Sequence, residues 1–285
     1  MRKFIICEVL IMKAVKVICL LLLTLTLSAC ENQNQHTCPS GISTSTFPLI
    51  ASVKKYPGPG QGQLPPYEEV KTTEQDAKPS ITKNIAGEKV TGTYLYSTKK
   101  QLDAIRARVY QTQDGRLFGS DLDGILRFYT WNIDESIQDV CTQEECQQIA
   151  KAFLTPYLNV DNYKVSVVAK EDHSLYEFTF TKYYGEYKTV DQAIVTVHQS
   201  GQLYAYSSNQ FGQLPDQAIG SVDEAKILDL VDQEIATSYP NIAVSRSEPV
   251  CIYQNPAEIY CLVDIEHQTG DVITNEQLVF YIYLC

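Results

Sequence analysis

Apolar and polar side chains alternate along residues 89–131. Val90, Gly92, Tyr94 and Tyr96 fall on one side of an extended chain, and Ile105, Ala107 and Val109 repeat the pattern. A period of two predicts half-buried strands. Asp114-Gly115 and Asp123-Gly124 are turn dipeptides, and the run from Ile125 to Trp131 predicts another strand. Section 89–140 is therefore expected to hold three or four antiparallel strands.

The period changes after residue 140. Thr142-Gln143-Glu144-Glu145 spells a capping box, with Thr at the N-cap and Glu three residues on. Ile149, Ala150, Phe153, Leu154 and Tyr157 then follow helical spacing up to Pro156 and its turn. Strands are expected at 163–170, 175–182, 192–199 and 202–207, the last two joined by a tight hairpin at Ser200-Gly201. Ser221-Val222-Asp223-Glu224 spells a second capping box, and Ile227, Leu228, Val231 and Ile235 carry a second helix toward Pro240. Strands follow at 243–253, 258–266 and 277–284. The order of helix then antiparallel meander thus occurs twice. The expected fold class is α+β, with repeated units of one helix packed on an antiparallel β-meander. The expected division is 1–29, 30–88, 89–140, 141–215 and 216–285.

The N-terminus reads as an address. Lys13 and Lys16 precede an apolar run from Val17 to Leu27, which at 11 residues falls short of the roughly 20 that cross a bilayer. A basic start, a short apolar run and small residues before a cysteine describe a secretory signal peptide, and Met12 opens a complete one by itself. Its ending, Leu27-Ser28-Ala29-Cys30, resembles the lipobox of bacterial lipoproteins. The resemblance implies cleavage before Cys30, lipidation of its sulfur and acylation of its amino group. Segment 30–88 carries Pro57-Gly58-Pro59-Gly60-Gln61-Gly62 and Pro65-Pro66, which continue neither a helix nor a central strand. It reads as a disordered tether, with a reach of roughly 40–45 Å for a flexible coil.

Charge narrows the partners. Residues 1–29 hold four basic and one acidic side chain, so the chain from Cys30 carries 19 basic against 33 acidic residues, a formal charge of −14. So acidic a chain is poorly suited to nucleic acid or anionic headgroups. Membrane contact is expected through the lipid anchor alone.

Six cysteines follow Cys30: Cys38, Cys141, Cys146, Cys251, Cys261 and Cys285. An even count in an exported chain reads as disulfides. With Thr142 at the N-cap, Cys141 and Cys146 occupy the two positions that touch in a hydrophobic staple, which predicts a bond between them. Cys251 and Cys261 are symmetric about Pro256, and a hairpin there sets them opposite each other. Cys38 and Cys285 remain as a residual pair.

The stretch Lys182-Tyr183-Tyr184-Gly185-Glu186-Tyr187, with Ala193-Ile194-Val195-Thr196-Val197 and Gly201-Gln202-Leu203-Tyr204 after it, resembles a PepSY-type module. The resemblance covers about 142–210, with a looser echo in 221–285. It implies a helix packed on an antiparallel sheet, and protease inhibition, chaperoning or envelope regulation. It supplies no catalytic residues to carry over.

Catalytic signatures are otherwise missing from the sequence. His36, His173, His198 and His267 form no His-Glu-x-x-His, and no phosphate loop or Gly-x-Ser-x-Gly occurs. Asp172-His173 and Glu266-His267 are neighbours in sequence, and strand neighbours face opposite ways. No catalytic residue, metal ligand or cofactor is expected. Tyr183, Tyr184 and Tyr187 are candidates for an aromatic ligand surface. The expectation is a non-enzymatic lipoprotein at the extracytoplasmic face that binds or restrains a protein partner such as an envelope protease. Capture of a small molecule or glycan by the tyrosine-rich sheet is the alternative.

Overall fold

In a computed structural model of the chain, the residues described are 39, 41, 43, 46–63, 70–99, 106–137, 139–157, 159–170, 174–209, 212 and 214–285. Leu27, Ser28, Ala29, Cys30, His36, Cys38 and His173 lie outside them. By compactness the chain divides into residues 1–40 and 41–285. The second unit carries all the structure that follows. Among the described residues, no helix is long and apolar enough to cross a membrane.

Fifteen strands and two α-helices make up the described fold. The strands are β1 Leu49–Pro57, β2 Val70–Thr72, β3 Ser80–Ile85, β4 Glu88–Lys99, β5 Arg106–Thr112, β6 Leu117–Ser120, β7 Leu126–Thr130, β8 Tyr163–Lys170, β9 Leu175–Tyr184, β10 Tyr187–His198, β11 Leu203–Asn209, β12 Val244–Arg246, β13 Val250–Asn255, β14 Glu258–Thr269 and β15 Val272–Tyr283. The helices are α1 Gln143–Leu154 and α2 Glu224–Ser238.

All the strands join one mixed sheet, whose main path runs β1-β15-β14-β13-β10-β11-β7-β6-β5-β4-β2. This overturns the expected α+β class of repeated helix-on-meander units: the described residues are mostly strand, in one sheet of fifteen, with only two α-helices beside it. The joint is a bulge in β10. Between Lys188 and Gln192 the pairing of β10 with β9 is interrupted, and Thr189 pairs instead, in parallel, with Tyr253 of β13. A bulge bends its strand and frees a residue from the ladder. Here that bend carries the sheet from one antiparallel set to the other. The expected section 89–140 is no separate body either, because β7 pairs with β11 and so brings β4–β7 into the same sheet.

Each helix covers one part of the sheet. α1 buries Cys146, Ala150, Phe153 and Leu154 in a core that contains Phe178, Phe180, Val195 and Tyr129. α2 buries Ile227, Val231 and Ile235 against Ile259, Val263, Leu278 and Phe280. Each such large side chain stabilises the fold by roughly 1.5–3 kcal/mol through area removed from water. The first capping box forms as expected: the Glu145 N–H donates to Thr142 Oγ1 at 3.2 Å, and the Thr142 N–H donates to Glu145 Oε2 at 2.8 Å. The second does not. Asp223, not Ser221, is the N-cap of α2 and accepts the Lys226 N–H at 3.2 Å. Aspartate is at least as good a cap as serine, and here it is the residue at the turn.

The expected tether is also corrected. β1, β2 and β3 all lie within 30–88, and β1 pairs with β15 along its length. The Pro-Gly run after β1 is folded down as a strap. Gly60 N–H and Gln61 N–H each donate to the Asp264 carboxylate at 2.8 Å, and Gln277 Nε2 donates to Gln63 O at 2.9 Å. A Cβ on Gly60 would lie 1.6 Å from Gln277 Nε2, so a larger residue there would push the Gln277 amide off Gln63 O. The proline and glycine content that resembles a flexible spacer is here what lets the chain turn sharply over the sheet. Asp264→Ala is expected to cost about 1–2 kcal/mol, the low end for bonds to a charged group because the carboxylate is half-exposed. Urea unfolding should show that loss, and limited proteolysis should cut faster near 58–63.

Candidate functional site

The site is built from the loop 131–140 and the β10–β11 hairpin. Trp131 N–H donates to Tyr204 O at 2.9 Å as the chain leaves β7. The loop then folds on itself at Asp134, whose Oδ1 accepts the Ser136 N–H at 3.0 Å and the Ser136 hydroxyl at 2.6 Å. Those bonds hold the Asp134 carboxyl below its ordinary range. Gln202 clamps the same residue from the hairpin: Asp134 N–H donates to Gln202 Oε1 at 2.8 Å, and Gln202 Nε2 donates to Asp134 O at 3.0 Å. The loop ends where Cys141 N–H donates to Gln199 O at 2.6 Å, and α1 starts at once. The hairpin turns tightly, as its Ser-Gly pair predicts, with Gly201 at φ +80° and its N–H donating to His198 O at 2.9 Å.

Loop and hairpin line an open cavity, a groove with a volume of about 440 Å³. Ile133, Ile137, Val140, Leu175 and Tyr204 supply its apolar lining, and Glu135, Asp139 and His198 supply the charged and polar groups. Val140 is 80% exposed, Tyr204 42% and Ile137 39%, so the apolar lining opens to solvent. Two exposed carboxylates beside exposed apolar side chains suit a ligand that is both cationic and apolar.

His198 and Ser200 meet here, and their geometry tests for catalysis. His198 Nδ1 lies 2.8 Å from Ser200 Oγ and accepts the Ser200 N–H at 3.1 Å. A backbone N–H can only donate, so the proton of the neutral ring sits on Nε2. Gln202 Nε2 donates to Ser200 Oγ at 2.7 Å, which leaves the hydroxyl proton for His198. A nucleophile needs an Oγ open to substrate and a base oriented by a third group. Ser200 is buried at 9% exposure, and its hydroxyl is held between two residues of its own turn. The trio fixes the hairpin that forms one wall of the cavity. Among the described residues, no group of three or more His, Cys, Asp or Glu converges as metal ligands do.

The tyrosine candidates do not form one ligand surface. Tyr184 is in the core beside Tyr253, at 5.0 Å between rings, and its hydroxyl donates to Pro215 O at 2.8 Å. Tyr187 donates to Glu224 Oε1 at 2.6 Å and so ties β10 to the first turn of α2. Tyr183 lies under Lys164, whose Nζ is 4.1 Å from the ring centroid. Neighbouring strand residues face opposite ways, which separates Tyr183 from Tyr184. His267 stacks on Tyr239 at 5.0 Å and lies 3.5 Å from Glu276, far along the chain from the cavity.

Cys251 and Cys261 are paired in register on β13 and β14 and joined by a disulfide, as the symmetry about Pro256 predicts. Cys285 is disulfide-bonded; Cys38, its expected partner, is not among the described residues. The expected Cys141–Cys146 bond is absent: both thiols are free. They do occupy the staple positions, and the nearby Cys141 is one of the groups that push the Cys146 thiol up. Proximity was legible from the capping box, whereas bonding depends on oxidation.

Glu135, Asp139, Ile137 and Val140 were not singled out by sequence, and Ser200, Gln202 and Tyr204 are legible there only as parts of a hairpin and a family resemblance, not as site residues. The available signal was a ten-residue acidic loop that keeps exposed apolar residues between a strand and a capped helix. No curated protein and no solved structure gives a match to this chain. Residues 118–210, which carry all but the first residue of β6, β7–β11, α1 and the whole of the cavity loop and hairpin, match the model of the family described as the YcdB, YcdC repeated domain, DUF4901.

Proposed function

We propose that the chain is a lipid-anchored extracytoplasmic module that binds a protein partner and catalyses no reaction. Its cavity accepts a short extended segment in which a basic side chain is flanked by apolar ones. The observation that carries this reading is the lining of the cavity: Ile137, Val140 and Tyr204 exposed beside Glu135 and Asp139. The apolar groups supply affinity through burial. The carboxylates select the cation and speed its approach. The lipobox at Leu27-Ser28-Ala29-Cys30 supports the location. The Ser200 hydroxyl, tied up between His198 and Gln202, supports binding over turnover, and the separation of Tyr183, Tyr184 and Tyr187 leaves the glycan reading without its surface.

The test uses site-directed photocrosslinking with synthetic peptides. A photoreactive residue at position 140 is expected to capture a Leu-Lys-Leu peptide and not its Leu-Glu-Leu counterpart, and the same group at position 273 to capture neither. Asp139→Lys should weaken capture roughly tenfold, about 1.4 kcal/mol, and added salt should weaken it further. Equal capture of both peptides, or capture at 273, would remove the basis for this reading.

A further inference from the structure

We infer that Cys141 and Cys146 are a redox-active dithiol, a modification site at which a small disulfide or a disulfide-donating protein closes the pair and a dithiol reopens it. The two cysteines flank the N-cap Thr142, in positions that bring their side chains together. Both are free in a fold where Cys251–Cys261 is closed and Cys285 is bonded, so this pair differs from the others in the same chain.

The two thiols have unequal access, and that sets the order of reaction. Cys141 is half-buried, whereas Cys146 is fully buried on the inner face of α1. Burial first, then the nearby Cys141 and Glu145, push the Cys146 thiol up to about 11. The hairpin backbone packs against the Cys141 sulfur at Gly201, where a Cβ would come within 3.0 Å of it, yet Cys141 stays the more accessible of the two thiols. Cys141 is therefore the sulfur an incoming disulfide RSSR meets. Its thiolate attacks one sulfur, forms Cys141–S–S–R and releases RS⁻. Cys146, on losing its proton to solvent, attacks the Cys141 sulfur and displaces the second RS⁻. Two thiols become one disulfide, and RSSR takes up the two electrons as two thiols. A dithiol reverses both steps. Closure removes the S–H that Cys146 points at His198 O, 3.8 Å away, so the redox state reaches the hairpin that walls the cavity. The dithiol stands on its own geometry, whatever the cavity binds.

The experiment equilibrates the folded full chain in glutathione buffers of graded ratio, quenches with acid, alkylates and digests with trypsin. The fragment 128–151 holds both cysteines and no others. It is expected to move from doubly alkylated to a form lacking two hydrogens as oxidised glutathione increases, and to return on adding dithiothreitol while Cys251–Cys261 stays closed. Cys146→Ser should accumulate a Cys141–glutathione mixed disulfide, and Cys141→Ser should leave Cys146 unmodified. Closure should quicken as pH rises from 7 toward 9, because the Cys146 proton must leave. A fragment doubly alkylated at every ratio, one that stays closed in dithiothreitol while the chain is folded, or Cys141→Ser reacting as fast as the parent would each overturn the inference.

Discussion

Asp191→Ala is expected to lose about 3–5 kcal/mol of unfolding free energy, the range for stripping one member from a buried charged network. Asp191 is fully buried on the β10 bulge that joins the two antiparallel sets of strands. Its Oδ1 accepts the Tyr163 hydroxyl at 2.9 Å and the Gly212 N–H at 2.9 Å, and its Oδ2 faces the Leu214 N–H at 3.4 Å. Buried Lys182 donates to Leu214 O at 2.7 Å and is attracted by the same carboxylate. Alanine would take one acceptor away from the Tyr163 hydroxyl and from two backbone donors, and leave a buried ammonium with less compensation. The chain at 212–214, which leads from the first core to α2, would lose its anchor. Asp191→Asn should cost much less, since one amide oxygen can take both shorter bonds.

The pH dependence separates these variants. Desolvation raises the Asp191 carboxyl above its ordinary value despite the donors that oppose it. Between that ordinary value and the raised one, the folded chain binds more protons than the unfolded chain. The contribution of this group is therefore complete below the unfolded pKa and is lost as pH rises through the folded one. Asp191→Asn should flatten that part of the profile, which urea unfolding at a series of pH values measures.

The second large effect is an asymmetry within one ion pair. Arg127 and Asp121 are buried together, with side chains only 5% and 9% exposed, and Arg127 Nε donates to Asp121 Oδ2 at 2.9 Å. Asp121 Oδ1 also accepts the Ile125 N–H at 2.8 Å, closing the turn before β7. Asp121→Ala removes both contacts and leaves the buried guanidinium without its carboxylate. A loss of about 3–5 kcal/mol is expected. Arg127→Met behaves differently. Arg127 Nη1 is buried and has no hydrogen-bond partner. Replacing that side chain by an apolar one of similar length leaves the Asp121 carboxylate without its cation but also removes a desolvated donor, so the cost should be smaller than that of Asp121→Ala. Thermal unfolding of the two variants side by side checks the contrast. Equal losses would mean that the pair acts through shape alone.

Neither network was legible in the sequence, and the reason is general. Asp121, Arg127, Lys182 and Asp191 are ordinary charged residues in a chain that is one-fifth charged. Only the fold decides which are taken out of water. Short-range patterns fared better. The alternation before Trp131 marks strands, Thr142 and Glu145 mark the start of α1, Ser200-Gly201 marks a hairpin, and Cys251 and Cys261 mark a register. Each of those signals spans a dozen residues or fewer. What failed was assembly. A helix followed by a meander describes local order, and it leaves open whether strand edges close on themselves or meet. Here Thr189 and Tyr253 meet, 64 positions apart, and β1 finds β15 across most of the chain. The strap at 58–63 failed for a related reason. Proline and glycine report freedom from regular structure, and a segment without regular structure can still be fixed by Asp264 and Gln277. At the cavity, His198 was visible as a residue, but its role depends on Ser200 and Gln202, which close the bonds that hold it.

The central claim is that the face formed by loop 131–140 and the β10–β11 hairpin is where this chain holds its partner. The most direct measurement is a binding isotherm of a fluorescent Leu-Lys-Leu peptide, run with the parent chain, Tyr204→Ala, Asp139→Lys and Asp264→Ala. The account predicts weaker binding for the first two variants, each by roughly tenfold or more, and unchanged binding for the third, whose defect lies at the strap. Peptide affinity that is the same for all four chains would contradict it.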